Sequence, residues 1–185
     1  MRIALVSLNT YKPIFPPLGL AYLATNLKKE TGAEIKVFDA NFQEVYEEVI
    51  KYSPDIIGIT SMTPDYGRAI RFATKIKQIG NTPVIIGGVH VTTLPNSMKT
   101  CFDIGVLGEG EQTFVDLVKL FENKREFLKE ELKEIEGIIY HDNGEICTTG
   151  RRALIKNLDD LPDLDRSYID ERYFERLMWK GQIGK

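Results

Sequence analysis

The feature that most constrains this chain is a hydrophobic period that keeps switching. Short runs of β-branched residues, each ending in a turn, alternate with stretches whose apolar residues recur at helical spacing. Residues 2–8 (RIALVSL), 34–39 (EIKVFD), 55–60 (DIIGIT), 83–87 (PVIIG) and 103–107 (DIGVL) read as short strands. The third to fifth are apolar enough to be covered on both faces, as strands of a parallel sheet are. The first helical stretch opens at Pro16-Pro17, carries Leu20, Leu23, Ala24 and Leu27 on one stripe, and stops at Gly32. Residues 42–52, 65–79 and 111–122 behave likewise. With right-handed crossovers, this alternation predicts a doubly wound five-stranded parallel sheet of flavodoxin-like or Rossmann-like α/β type, strand order 2-1-3-4-5. Ligand then lies over the carboxyl edge, on the loops after the first, third, fourth and fifth strands.

From residue 123 the texture changes. NKREFLKEELKEIE is charge-rich, with Phe127, Leu128, Leu132 and Ile135 at helical spacing, and reads as a solvated amphipathic helix. GIIYHDNGEICTT reads as a hairpin about Asp142-Asn143-Gly144, with His141 as a surface histidine. The division is therefore an α/β domain over 1–122, a helix-plus-hairpin extension over 123–150, and a linker over 151–185. In that last segment, ERYFERLMW reads equally well as an amphipathic helix or as a surface whose Tyr173, Phe174 and Trp179 are exposed to a partner.

Composition narrows the function classes. The 185 residues are 43% hydrophobic and 28% charged, ordinary for a globular chain. A net charge of −3 leaves no basic footprint for nucleic acid. No run approaches the roughly 20 apolar residues of a membrane-spanning helix. The start RIALVSL lacks the length and cleavage site of a signal peptide, and the two cysteines, Cys101 and Cys147, are far apart; a reducing cytoplasm is expected. Two unclustered thiols do not make a zinc or iron-sulfur site.

The loops differ in the chemistry they can support. SLNTYKPIFPPLGL, after the first strand, has neither the GxGxxG of a dinucleotide site nor the hydroxyl-rich phosphate loop of a flavodoxin. After the third strand come Ser61, Met62 and Thr63, where a receiver-type phosphoacceptor domain would need an aspartate; Asp55 sits at the wrong end. In GGVHVT, Gly87 and Gly88 admit a ligand or a neighbouring backbone at close range, whereas metal ligation by His90 is disfavoured and helix capping serves as well. Gly108-Glu109-Gly110-Glu111 opens a helix; acids there complement its dipole, and glycines flanking Glu109 also expose that carboxylate to ligand amides or hydroxyls. No catalytic constellation emerges: there is no Ser-His-Asp set, no CxxC and no convergent pair of carboxylates.

The strings PPLGLAYLA, PDIIGITSMT, PVIIGGVHVTTLP, VLGEGEQTF, EGIIYHDNGEI and LDDLPDLDRSYID together resemble the N-terminal cobalamin-binding domain of B12-dependent radical SAM enzymes. The similarity is greatest to the anaerobic magnesium-protoporphyrin IX monomethyl ester oxidative cyclase type, and it extends to about residue 170. It implies a corrinoid lying over the carboxyl edge. Its lower face and nucleotide tail would meet Ser61, Met62 and Thr63, then Gly87, Gly88, Val89 and His90, then Gly108, Glu109 and Gly110, with Pro16, Pro17 and Leu18 shaping one wall.

Two departures qualify the resemblance. The DxHxxG by which methionine synthase and the mutases supply a histidine to cobalt is missing, so cobalamin is expected base-off and histidine-off. The CxxxCxxC of a radical SAM cluster is also missing, so the iron-sulfur cluster and SAM are expected in a further domain and this chain alone is not expected to be catalytic. Three function classes follow: a cofactor-binding fragment of such an enzyme, of methyltransferase or oxidative-cyclase kind; a free-standing corrinoid carrier or sensor; and a flavodoxin-like nucleotide-binding or interaction domain without corrinoid.

Overall fold

The structure, a computed structural model, describes residues 1–10 and 15–179, with side chains through Glu175. Its strands are β1 (Arg2–Ser7), β2 (Glu34–Asp39), β3 (Ile56–Thr60), β4 (Val84–Gly87), β5 (Ile104–Val106), β6 (Ile138–Asp142) and β7 (Glu145–Thr148). They form one seven-stranded sheet in the order β2-β1-β3-β4-β5-β6-β7. The first five are parallel, and β6 and β7 continue the sheet antiparallel. The architecture is α/β with a parallel-dominated sheet; the expectation of five strands is corrected to a mixed sheet of seven. The reason is local. Gly105 leaves no room for a side chain, since a Cβ there would meet Ile139 Cγ1 at 2.6 Å and Met98 Sδ at 2.9 Å. The hairpin therefore packs directly onto β5 and covers an otherwise open edge. Its two-residue turn has Asn143 and Gly144 at φ of 49° and 85°, the left-handed pair that matches the twist of the flanking strands.

Alternation along the parallel strands sorts the core into two layers. Ala4, Val6, Ile57 and Ile86 face α2 (Val45–Tyr52) and α3 (Tyr66–Ile79). Ile3, Leu5, Ile85 and Val106 face α1 (Leu18–Thr31) and α5 (Glu111–Lys124). Between α3 and α5, the five-residue α4 (Val89–Thr93) leaves β4. α1 ends at Gly32, left-handed at φ 65° as its stop signal requires.

The amphipathic helix expected over 123–136 is broken. Arg125 takes a left-handed conformation at φ 61° and caps α5 by donating its N–H to Phe121 O. Only one turn, α6 (Lys129–Leu132), follows. Burial still holds the segment down, since Leu132 and Ile135 are buried and the Phe127 ring lies 5.2 Å from that of Phe121.

The tail is bound to the body. Asp165 N donates to Thr25 Oγ1 on α1, and Arg152 pairs with Asp116 on α5 at 2.5 Å. In α7 (Arg172–Trp179), Tyr173 donates to Asp39 Oδ2 at 2.5 Å and accepts from Asn41 at 3.0 Å. Tyr173 is thus buried rather than exposed; burial and the Asp39 carboxylate push its phenol pKa well up. Phe174 is half-buried, and the Trp179 side chain lies outside the described residues. No helix among the described residues is long and apolar enough to cross a membrane.

Candidate functional site at the carboxyl edge

A slot of about 310 Å³ opens between the carboxyl ends of the parallel strands and helices α1 and α5. Its floor is Leu5, Ile85 and Phe114; its walls carry Gly19, Gly58, Gly87, Gly88, Gly108 and Gly110; Thr60, Glu109 and Glu111 add polar groups. The glycines have different reasons. At Gly58 a Cβ would meet Leu5 Cδ2 and Phe114 at 2.9 Å, so this mid-strand glycine lets the floor close. At Gly19 a Cβ would meet nothing within 4 Å, although the residue is helical and could carry any side chain. That space is left by the packing of the described residues.

Around the mouth, the loops leaving the sheet expose apolar side chains. Phe15 is 84% exposed, Leu18 47%, Met62 47%, Val89 64% and Leu94 49%. Large apolar groups so placed on successive loops of one edge mark a binding surface rather than a core. A glycine-walled slot beside a rim of exposed apolar side chains leaves room for a ligand group close to the backbone.

His90 lies beneath this rim and is buried. Its ring stacks on Tyr66 with centroids 3.7 Å apart, Nδ1 meets Thr63 Oγ1 at 3.1 Å, and Nε2 meets Ser97 Oγ at 3.0 Å. Burial lowers its pKa, which favours the neutral ring. Asp65, in the same short helix as Thr63 and also buried, is pushed up by desolvation, with Arg68 at 3.6 Å partly offsetting it.

The structure distributes the sequence-predicted residues over two tiers. Gly87, Gly88, Gly108, Glu109 and Gly110 line the slot. Ser61, Met62, Thr63, Val89 and His90, with Pro16, Pro17 and Leu18, belong to the loops and helix starts around it. Gly88, expected to admit a ligand or a backbone, is required by the backbone: at φ 95° a Cβ would meet Ser61 O at 2.7 Å and Ser61 N at 2.9 Å. Gly108, at φ 75°, has open space around it. Glu109 is engaged within the chain, its Oε2 accepting from Ile155 N at 2.6 Å. The tail thereby crosses the slot's flank, a contact no local pattern announces. Sequence reasoning also missed Leu5, Gly19, Gly58, Ile85 and Phe114; the one available signal was a glycine inside the strand IIGIT.

His141, expected at the surface, is half-buried in the hairpin, and both its ring nitrogens are shielded without a hydrogen-bond partner. It belongs to the opposite edge, in a groove with Asp55, Asp103 and Arg125. Among the described residues, no group of His, Cys, Asp and Glu side chains is arranged to hold a metal ion.

Comparison with known proteins gives one consistent family over most of this chain. The family model described as B12 binding domain matches residues 4–118. An uncharacterized methyltransferase of Pyrococcus horikoshii is 39% identical over 154 residues, spanning 80% of this chain and 32% of that protein. The anaerobic magnesium-protoporphyrin IX monomethyl ester cyclase of Cereibacter sphaeroides is 28% identical over 159 residues, spanning 80% of this chain and 26% of the cyclase. Among solved structures, a radical S-adenosylmethionine methyltransferase from Kitasatospora setae, with cobalamin and a 4Fe-4S cluster bound, shares the fold at a TM-score of 0.70. The identity there is 22%, over 90% of this chain and 32% of that one. The chain thus spans about a third or less of the length of these proteins.

Proposed function

The chain belongs to the B12-binding domain family, and on that premise we propose that it is the corrinoid-holding domain of a larger B12-dependent radical SAM enzyme of methyltransferase or oxidative-cyclase kind. The observation that carries this reading is the two-tier carboxyl edge: exposed apolar side chains above a glycine-walled slot of about 310 Å³. A corrin ring is broad and flat, and its nucleotide arm is narrow. Leu18, Met62 and Val89 would support the ring, with Pro16 and Pro17 beside them. Gly87, Gly88, Gly108, Glu109 and Gly110 would face the arm, and Ser61, Thr63 and His90 would lie under the rim.

Bound cobalamin would supply cobalt-centred methyl or electron carriage. What the chain contributes is seating, orientation and exclusion of water. The state proposed is base-off and histidine-off. The slot would hold the cofactor's base, and both nitrogens of His90 are already engaged by Thr63 and Ser97. The iron-sulfur cluster and SAM would belong to the part of the protein outside this chain, in a cytoplasmic enzyme. We assign 1–122 to the cofactor domain proper, 123–150 to its extension, and 151–185 to the route toward that further domain, with Glu109, Thr25 and Asp39 as fixed points along it.

The test is anaerobic addition of cob(II)alamin to the 185-residue chain, followed by gel filtration and electron paramagnetic resonance. One equivalent should co-elute with the protein, and the spectrum should lack splitting from an axial nitrogen. A folded protein that stays colourless would reject the corrinoid. Nitrogen splitting that disappears in His90→Ala would reject the histidine-off state, and splitting that survives it would show the cofactor's own base still on cobalt.

A further inference from the structure

The hydrogen bonds around His90 fix something that the heavy atoms alone do not state, namely where the protons are. Ser97 Oγ lies 2.6 Å from Leu94 O. A carbonyl oxygen only accepts, so the proton in that short contact is the serine's own. With its proton spent there, Ser97 Oγ can only accept from His90 Nε2 at 3.0 Å. Nε2 therefore carries the ring proton, and in the neutral ring Nδ1 is a bare acceptor. Its neighbour at 3.1 Å is Thr63 Oγ1, which must then donate to it. The whole chain of donors runs one way, from Thr63 to His90 to Ser97 to Leu94. The stack on Tyr66 and the contacts of both ring nitrogens hold the ring in place.

Thr63 is exposed on the loop that follows β3, on the edge where the slot opens. With its proton turned inward, the side of its oxygen that faces outward offers lone pairs only. We infer that His90 is a positioning residue that holds the Thr63 hydroxyl as a pure acceptor, so that the rim selects a ligand presenting an amide N–H at that point. The inference rests on the corrinoid reading, in which the periphery of the ring carries primary amides, and it adds to that reading a polarity. A corrinoid with carboxylates in place of those amides would meet lone pair with lone pair.

A histidine that only filled space would leave affinity for the ligand untouched when its far partner, Ser97, is altered. The experiment therefore measures hydroxocobalamin affinity by absorbance titration of the 185-residue chain, beside thermal unfolding of each variant. Loss of one neutral hydrogen bond corresponds to roughly three- to ten-fold weaker binding. Thr63→Val should show that loss, and Thr63→Ser should stay within about two-fold of wild type, the scale of a retained bond. Ser97→Ala, which does not line the slot, should weaken binding by about three-fold, because the ring is then free to move its proton to Nδ1 and turn the Thr63 proton outward. Long-range proton–nitrogen spectra of the wild type at pH 7.5 read the tautomer directly and do not depend on any variant folding. A neutral ring protonated at Nε2 supports the assignment, and one protonated at Nδ1 overturns it. If wild type binds cobalamin and Thr63→Val binds it equally well, the positioning role falls while the corrinoid reading stands. If wild type binds no cobalamin, the corrinoid reading falls first and takes the inference with it.

Discussion

The two ends of the parallel sheet are built from opposite kinds of residue. At the amino edge, charges tie the strand starts together. Asp55 accepts from Arg2 N at 2.7 Å and pairs with Arg125 at 2.9 Å. Asp103 accepts from Val84 N and from Lys77, both at 2.6 Å, and Lys129 pairs with Asp142. At the carboxyl edge the strands run out into glycines, hydroxyls and exposed apolar side chains, and Glu109 is spent on the tail. Both ends have hollows, and that at the amino edge is the larger, at about 790 Å³ against 310 Å³. Size therefore does not identify the site. The amino-edge groove holds the ion pair of Asp55 with Arg125 and the unpartnered ring of His141, whereas the carboxyl-edge slot presents apolar surface and, among the described residues, open space beside Gly19.

The comparison breaks most severely if filling the slot changes nothing. Gly19→Leu places a side chain into open space from a helical position, so helix propensity should keep the fold stable, gaining up to about 1 kcal/mol. Cobalamin co-elution should nevertheless be lost, by about a hundred-fold or more in affinity if the arm is shut out, since excluding several buried groups costs at least about 3 kcal/mol. Unaltered binding would move the nucleotide arm elsewhere. Tyr173→Phe should act in the reverse sense. It removes the buried hydrogen bond to Asp39 and should lower stability by about 2 kcal/mol in a denaturant titration while leaving affinity alone. A loss of cobalamin binding there would mean that the tail shapes the site as well as the route out of it. The smallest effect is expected at the amino edge. Asp103→Asn should cost only about 1 kcal/mol, because the carboxylate is partly exposed and screened, and should not alter cobalamin affinity.

How far the sequence could be read differs along the same lines. Strands and helices were legible because the period of apolar residues reports burial locally, and the parallel order 2-1-3-4-5 of β1 to β5 follows from right-handed crossovers. The place of the hairpin was not legible: two alternating strands around Asn143-Gly144 specify their own pairing, but only Gly105, in another strand, shows what they pack against. The long helix over 123–136 failed because helical spacing of Phe127, Leu132 and Ile135 survives a break, and the left-handed Arg125 carries no glycine to announce it. At the site, Gly87-Gly88 and Gly108-Glu109-Gly110 stood out as turns. The floor, Leu5 with Ile85 and Phe114, looked like any other core. Its role depends on where α5 lies against β3, and Gly58 alone hinted at that approach. His90 was visible as a residue, but its partner Thr63 lies 27 positions earlier, and Tyr173 meets Asp39 across 134. Contacts at such separations are set by topology, which local pattern does not encode.

Hydrogen–deuterium exchange of the 185-residue chain with and without saturating hydroxocobalamin sets the two edges against each other in one measurement. The expected result is slower exchange in the backbone of residues 15–20, 61–67, 87–94 and 107–112, with residues 54–56, 81–84 and 100–104 unchanged. Protection concentrated at the amino edge, or cobalamin bound without protection at either edge, would contradict the assignment of the carboxyl edge as the corrinoid seat.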